Sequence, residues 1–149
     1  MLDRYIPARA RDVALLVARI AVGVVFIAHG WQKLGGGIGG TAKMFTMMGV
    51  PVPGVSAVYA TFVELVGGAA LIVGAAVPLF GALLFLDMAG AFVFVHAGHG
   101  LFADKGGFEL VLTLGVAALL LAATGSGRFG LDALITTRRI TPNAVPAGR

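Results

Sequence analysis

The composition of this 149-residue chain excludes an ordinary soluble domain. Hydrophobic residues make up 58% of it and charged residues only 12%, whereas soluble domains are about half apolar and about a quarter charged. The chain has no Cys, which excludes disulfides, zinc–thiolate sites, iron–sulfur clusters and a Cys nucleophile of its own. The formal net charge is +4, an excess that in a membrane protein reports topology rather than nucleic-acid binding.

Four apolar segments predict a helical membrane protein. They cover residues 13–34, 55–77, 79–97 and 108–124. About 20 apolar residues cross a hydrocarbon core of roughly 30 Å, and only helices or closed barrels can do so, because every backbone N–H and C=O needs a partner in lipid. The segments show no period-2 alternation. We therefore predict an all-α fold, a four-transmembrane-helix bundle that forms a single membrane domain over residues 1–135.

The connections between these segments carry Gly and Pro where helices stop. Pro78 predicts a tight hairpin between the second and third segments, because Pro is tolerated in the first turn of a helix. The first loop is longer, and Thr41 can begin a short helix that runs to about Met48 and lies in the membrane interface. Residues 136–149 contain two Pro, and we predict that they form a flexible cytoplasmic tail.

The basic residues predict an orientation in the membrane. Arg residues precede the first segment and follow the fourth, whereas the two intervening loops on the other side carry only Lys43 and Lys105. Loops on the cytoplasmic side carry the excess of Lys and Arg. Four spans place both termini on the same side of the membrane. We therefore predict that both termini are cytoplasmic.

Arg19, Glu64 and Asp87 lie well inside the predicted spans. A charge that faces lipid at mid-depth costs at least about 2.5–3.5 kcal/mol, so such residues turn inward and pair. With a rise of about 1.5 Å per residue, the three side chains come to depths at which they can meet, and we predict one buried polar network. An ion-pair lock between helices is one role for it. A proton relay is the other, since one cation with two carboxylates leaves an extra negative charge.

A second group of polar residues lies near the outer end of the predicted bundle and includes all three His of the chain. Its members are His29, Gln32, Lys33, His96, His99 and Glu109. Three interpretations stay open: a wet rim where helix ends form hydrogen bonds, a pocket for a small anion or a quinone head group, and a metal or haem site. His-x-x-His is a weak metal signal and Lys33 opposes a bound cation, so no metal is assigned.

Several short motifs follow one another along residues 13–135. They include Leu15-Leu16-Val17-Ala18-Arg19, His29-Gly30-Trp31-Gln32-Lys33-Leu34, Glu64-Leu65-Val66-Gly67-Gly68, Asp87-Met88, Gly106-Gly107-Phe108-Glu109 and Leu131-Asp132. This ordered set resembles the DoxX family of membrane proteins. The resemblance implies a four-helix protein of the bacterial cytoplasmic (inner) membrane, associated with oxidoreductase assemblies of the thiosulfate:quinone or redox-stress type.

The leading functional hypothesis is therefore an integral membrane subunit of an oxidoreductase complex, with quinone as the candidate cofactor and soluble redox proteins as candidate partners. A small-solute or proton-coupled transporter that uses Arg19, Glu64 and Asp87 is one alternative. A structural anchor that recruits redox partners through its Arg-rich ends is another. Beyond the lipid bilayer, a homo-oligomer is compatible with the Gly-rich helices, and no nucleic-acid partner is expected.

The absence of Cys makes the predicted topology directly testable. Single Cys residues are introduced at Ser56, Gly98 and Ala147, and intact cells are treated with a membrane-impermeant maleimide. We expect labelling at Ser56 and Gly98 and protection at Ala147, which becomes reactive once the cells are permeabilised. Labelling of intact cells at Ala147 but not at Gly98 contradicts the predicted orientation.

Overall fold

All regular structure that the computed structural model describes, residues 7–139 with side chains up to Ile135, is helical. The helices are α1 (Ala8–Gly35), α2 (Ile38–Met47), α3 (Pro53–Val73), α4 (Val77–Ala91), α5 (Glu109–Thr124) and α6 (Leu131–Arg139). The predicted all-α class is confirmed. Helix α6 runs four residues into the segment predicted to be a flexible tail, and the remainder of that tail lies outside the described residues.

Three helices are long and apolar enough to cross a membrane. They are α1, α3 and α4 together with its helical continuation to His99, with mean hydropathies of 2.2, 1.8 and 2.0. Helix α5 is apolar but has 16 residues, which cover only about 24 Å at 1.5 Å per residue. The fourth span therefore stays a prediction. A short helix, α2, is present in the first loop as expected, and its location in the membrane interface stays a prediction too.

Helices α3 and α4 are joined by a tight turn that α6 holds in place. Helix α3 ends at Val73 because Gly74 adopts a left-handed φ of 73°, four residues before the predicted end. The backbone N–H groups of Ala76 and Val77 donate to the two carboxylate oxygens of Asp132, at 2.7 and 3.0 Å. A carboxylate at a helix N-terminus satisfies donors that have no partner inside the helix and complements the helix dipole.

The helices pack as two antiparallel pairs, α1 with α3 and α4 with α5. Small residues allow the close approach within each pair. A Cβ on Gly23 would lie 2.6 Å from the carbonyl oxygen of Gly68, and a Cβ on Gly81 would lie 2.8 Å from that of Ala118. The position of α1 along α3 is therefore set at the level of Gly23 and Gly68.

The two pairs enclose an apolar core, centred on side chains such as Phe26, Leu71 and Leu84, none of which has exposed surface. We call the end of the bundle where α1 begins and α6 lies the terminal end. We call the opposite end, formed by α2 and by residues 97–108, the loop end. The apolar core lies nearer the terminal end, and polar residues lie on either side of it.

Substitution of Gly68 by Ala tests the contact between α1 and α3. We expect Gly68→Ala to lower the free energy of unfolding by about 1–3 kcal/mol, because the added methyl group overpacks the interface. Gly90→Ala is the matched control, since a Cβ at Gly90 meets no atom within 4 Å. Thermal unfolding of both variants in one detergent measures the difference, and equal midpoints contradict the proposed contact.

Candidate functional site

A cavity of about 940 Å³ lies between the two helix pairs toward the loop end. This volume falls at the upper end of the range of about 300–1,000 Å³ that is typical of small-molecule sites. All the long helices and α2 contribute to its wall, which is mostly apolar. Its main polar lining side chains are His29, Gln32, Lys33, Tyr59, Glu64, Asp87 and His96. The cavity therefore joins residues from both groups that the sequence indicated.

An ion pair between α1 and α3 forms the polar base of the cavity. Lys33 Nζ lies 2.5 Å from Glu64 Oε2, and the Glu64 side chain is only 3% exposed. Asp87 of α4 also lines the cavity, and its carboxyl group lies close enough to Glu64 for the two acids to interact electrostatically. Two neighbouring carboxylates repel each other unless a cation or a proton compensates one of them. We call Lys33, Glu64 and Asp87 the polar triad.

Two histidines border the same cavity in defined orientations. His29 Nδ1 lies 2.9 Å from the Val25 carbonyl oxygen, one turn back on α1. His96 Nδ1 lies 2.7 Å from the carbonyl oxygen of Gly106. Because a carbonyl can only accept, Nδ1 is the donor in both rings, and Nε2 of each neutral ring is left with a lone pair. Both rings can therefore accept a hydrogen bond or a proton at Nε2.

The end of α4 changes its helical winding at the cavity. Residues Phe92–His96 form a π-helical turn, a rare conformation that occurs often at functional sites. Its wider winding separates successive side chains by a smaller angle, and Phe94, Val95 and His96 all line the cavity. The π-helical turn thus places a histidine in the wall that a continuing α-helix would direct elsewhere.

Two residues of the predicted outer cluster do not line the cavity. Glu109 Oε1 accepts a hydrogen bond of 2.8 Å from the backbone N–H of Ala103, so this carboxylate organises the loop before α5. His99 is exposed and lies beyond the π-helical turn. Glu109 and His99 therefore do not share the pocket, contrary to the sequence-based expectation. The loop at 97–108 binds the Glu109 carboxylate with its own backbone and leaves His99 at the surface.

The prediction that Arg19 pairs with Glu64 and Asp87 is wrong. The Arg19 side chain is fully buried at the terminal end, where Nη2 donates to the Phe129 carbonyl oxygen at 3.3 Å and Asp132 supplies the nearby negative charge. Glu64 packs against Gly30 instead, eleven residues further along α1 and so about 16 Å away. The prediction failed because the close approach of Gly23 to Gly68 sets the register of α1 against α3 and brings Arg19 level with Gly74.

Asp12 and Tyr59 are among the buried or cavity-lining polar residues that the sequence analysis did not single out. Asp12 is 3% exposed, and its Oδ1 accepts a hydrogen bond from the backbone N–H of Arg128 at 3.4 Å. Tyr59 lines the cavity and donates from its hydroxyl to the Leu83 carbonyl oxygen at 2.7 Å. A Tyr in an apolar span usually indicates only the membrane interface, so the sequence held no signal for its role here. Among the described residues, no cluster of three or more His, Asp or Glu side chains can hold a metal ion.

The match to known proteins covers most of the chain that builds the cavity, including all of its polar lining side chains. Residues 14–97 match the DoxX family profile. The chain belongs to the DoxX family. Every polar residue that lines the cavity lies within this matched range, whereas Glu109 lies outside it. The resemblance seen in the sequence motifs is thereby confirmed.

Relatives from two bacteria match nearly the full chain. The Escherichia coli inner membrane protein YphA is 31% identical, covering 83% of this chain and 91% of its own length. The E. coli inner membrane protein YqjF is 34% identical, with 87% and 98% covered. A Bacillus subtilis protein named "Putative oxidoreductase CatD" is 30% identical, with 83% and 88% covered. No solved structure matches this DoxX protein.

The pairing in the polar triad is testable by a double-mutant cycle. Lys33→Met should lower the free energy of unfolding by about 3 kcal/mol, because it leaves Glu64 buried without its cation. Combining Lys33→Met with Glu64→Gln should recover a large part of that loss. The control is Arg19→Met with Glu64→Gln, whose effects should add to within about 0.5 kcal/mol, because the two sites do not touch. If the Arg19→Met and Glu64→Gln double variant recovers stability and the Lys33→Met and Glu64→Gln double variant does not, Glu64 pairs with Arg19 and not with Lys33.

Proposed function

We propose that this DoxX protein is an integral membrane subunit of a membrane-associated oxidoreductase complex and that its cavity binds the head group of a quinone. In this proposal the chain spans the bacterial cytoplasmic membrane four times, with α5 as the fourth span and both termini cytoplasmic. The cavity then opens toward the outer half of the membrane. The names of YphA, YqjF and CatD support the membrane location and the link to oxidoreductases.

The polar triad at the base of an apolar cavity is the observation that carries the proposal. A quinone head group is a neutral ring with two carbonyl acceptors, so it suits an apolar wall with a few hydrogen-bond donors. Lys33 has three N–H donors, of which Glu64 uses one. In this proposal Asp87, which lines the cavity beside Glu64, carries a proton and is a further donor.

The same geometry favours a neutral ligand over the small anion that the sequence also allowed. The positive charge of Lys33 is already compensated by Glu64. Asp87 adds a second carboxyl group at the place where an anion would have to sit. An anion would therefore meet a neutral or negative base, which gives it no net attraction.

Reduction of a quinone to a quinol takes two electrons and two protons. The electrons would come from a partner in the complex, and thiol chemistry would also belong to a partner because this chain has no Cys. The chain itself would position the ring and exchange protons at its carbonyl oxygens. We assign this proton exchange to Asp87 and to the Nε2 atoms of His29 and His96, which all border the cavity.

An apolar layer argues against the transporter alternative. Leu84 of α4 packs against Gly67, three residues beyond Glu64 on α3, and Leu71 lies four residues further along α3. Together with Phe26 they are fully buried members of the apolar core. This layer separates the polar triad from Arg19, so the two polar regions are not continuous among the described residues. A site that binds a ligand from one side fits this arrangement better than a path across the membrane.

The proposal is tested by quinone binding to the purified protein in nanodiscs, with decylubiquinone as the probe. We expect Asp87→Leu to weaken binding at least tenfold, because it removes the hydrogen-bond donor that the proposal places on Asp87. Asp104→Leu is the matched control, since Asp104 is exposed and lies outside the cavity, and its affinity should equal that of the unmodified protein. Absence of quinone binding by the unmodified protein, with solute flux in liposomes, would favour the transporter instead.

A further inference from the structure

The cavity has a rim of apolar side chains that are also exposed on the outside of the bundle. On α3, Val55 lines the cavity and is 66% exposed. On α4, Leu86 lines the cavity and is 59% exposed. A side chain that borders both a cavity and the outer surface marks the mouth of the cavity. These two side chains therefore mark an opening between α3 and α4 that extends from Leu86 toward Val55 at the loop end.

The depth of this mouth shows which solvent it meets. Leu86 precedes Asp87 by one residue and lies ten residues into the span Val77–His99, which places it about 14 Å from the start of that span. The middle of a hydrocarbon core about 30 Å thick lies at this level. An opening at Leu86 therefore faces lipid acyl chains and not water.

Gly90 forms a notch in the α4 side of the mouth. Leu86, Gly90 and Phe94 follow one another at intervals of four residues, so they form one stripe along the helix, and all three line the cavity. A Cβ at Gly90 would meet no atom within 4 Å. By contrast, Gly67 and Gly81, which lie in α3 and α4 closer to the terminal end, are tightly covered by neighbouring atoms. The gap is confined to the part of α4 that borders the cavity.

We propose that the notch at Gly90, between α3 and α4, is a side portal through which a lipid-soluble ligand enters from the bilayer, with its head at the polar triad and its apolar tail along Val55, Leu86 and Phe94. This inference rests on the function proposed above and narrows the ligand to a class: a neutral, hydrogen-bond-accepting ring with a hydrocarbon tail. The tail would then lie on an apolar rim that is continuous with the lipid, so it need not leave the hydrocarbon when the head binds.

A tail that leaves through the portal also fits the shape of the cavity wall. Toward the terminal end the cavity is closed by the apolar core around Leu84. Toward α2 it is bordered by Thr41, Met44 and Met48. Helix α2 packs mainly against α3, so it covers the α1 and α3 side of the cavity and leaves the face between α3 and α4 uncovered.

Gly90→Leu tests the portal because it fills the notch without displacing any backbone. Leu is also a better helix former than Gly, so the variant should unfold at the same temperature as the unmodified protein or above it. Gly39→Leu is the matched control: a Cβ there also meets no atom within 4 Å, and Gly39 does not line the cavity. Both variants are reconstituted in phosphatidylcholine nanodiscs.

Two probes that share one head group separate the portal from the head site. Decylubiquinone carries the tail, and 2,3-dimethoxy-5-methyl-1,4-benzoquinone lacks it. We expect Gly90→Leu to slow association of decylubiquinone at least tenfold and to change binding of the tailless ring less than twofold, with Gly39→Leu changing neither.

The other possible results contradict either the portal or the quinone function, and they can be told apart. Equal losses for both probes in Gly90→Leu would place Gly90 at the head site and overturn the portal. No loss for either probe would mean that the ligand reaches the site by another route, which also overturns it. Binding of neither probe by the unmodified protein would overturn the proposed quinone function itself.

Discussion

Ionisable side chains placed inside a membrane-spanning bundle must be paired within the protein, and this requirement organises the loop end. Lys33, Glu64 and Asp87 come from α1, α3 and α4, so their mutual contacts hold three helices at one level. Isolated in lipid, each of these charges would cost several kcal/mol. The same residues also present hydrogen-bond donors to the apolar cavity. The groups that hold the helices together can therefore also bind a ligand.

The terminal end meets the same requirement in a different way. Arg19 is buried against the turn before α6 and donates to the Phe129 carbonyl oxygen, while Asp132 binds the first N–H groups of α4. These contacts join α1, the α3–α4 turn and α6. Polar contacts thus join the helices at the terminal end, and the cavity lies toward the loop end. The apolar core lies between them. We infer that changes at Arg19 act on folding alone, whereas changes at the triad act on both folding and the ligand.

Helix α4 departs from regular α-helical geometry where it lines the cavity. The π-helical turn Phe92–His96 brings three successive side chains to the wall, and the absence of a side chain at Gly90 leaves the wall open toward lipid. Both features lie within the range that matches the DoxX family. The proposed ligand follows from them jointly, because a polar base with a mouth at mid-membrane depth suits a molecule that is itself part polar and part lipid.

The sequence by itself determined the helical class, the membrane setting, the tight α3–α4 turn and most of the polar residues of the cavity, because hydropathy, Pro and Gly act locally along the chain. It could not determine which charges meet. That depends on the alignment of α1 with α3, which the contact between Gly23 and Gly68 sets, and on the absence of a side chain at Gly74, which leaves room for Arg19. Only the tertiary structure therefore assigned Lys33, and not Arg19, to Glu64, since a shift of a few residues between packed helices moves a side chain farther than it can reach.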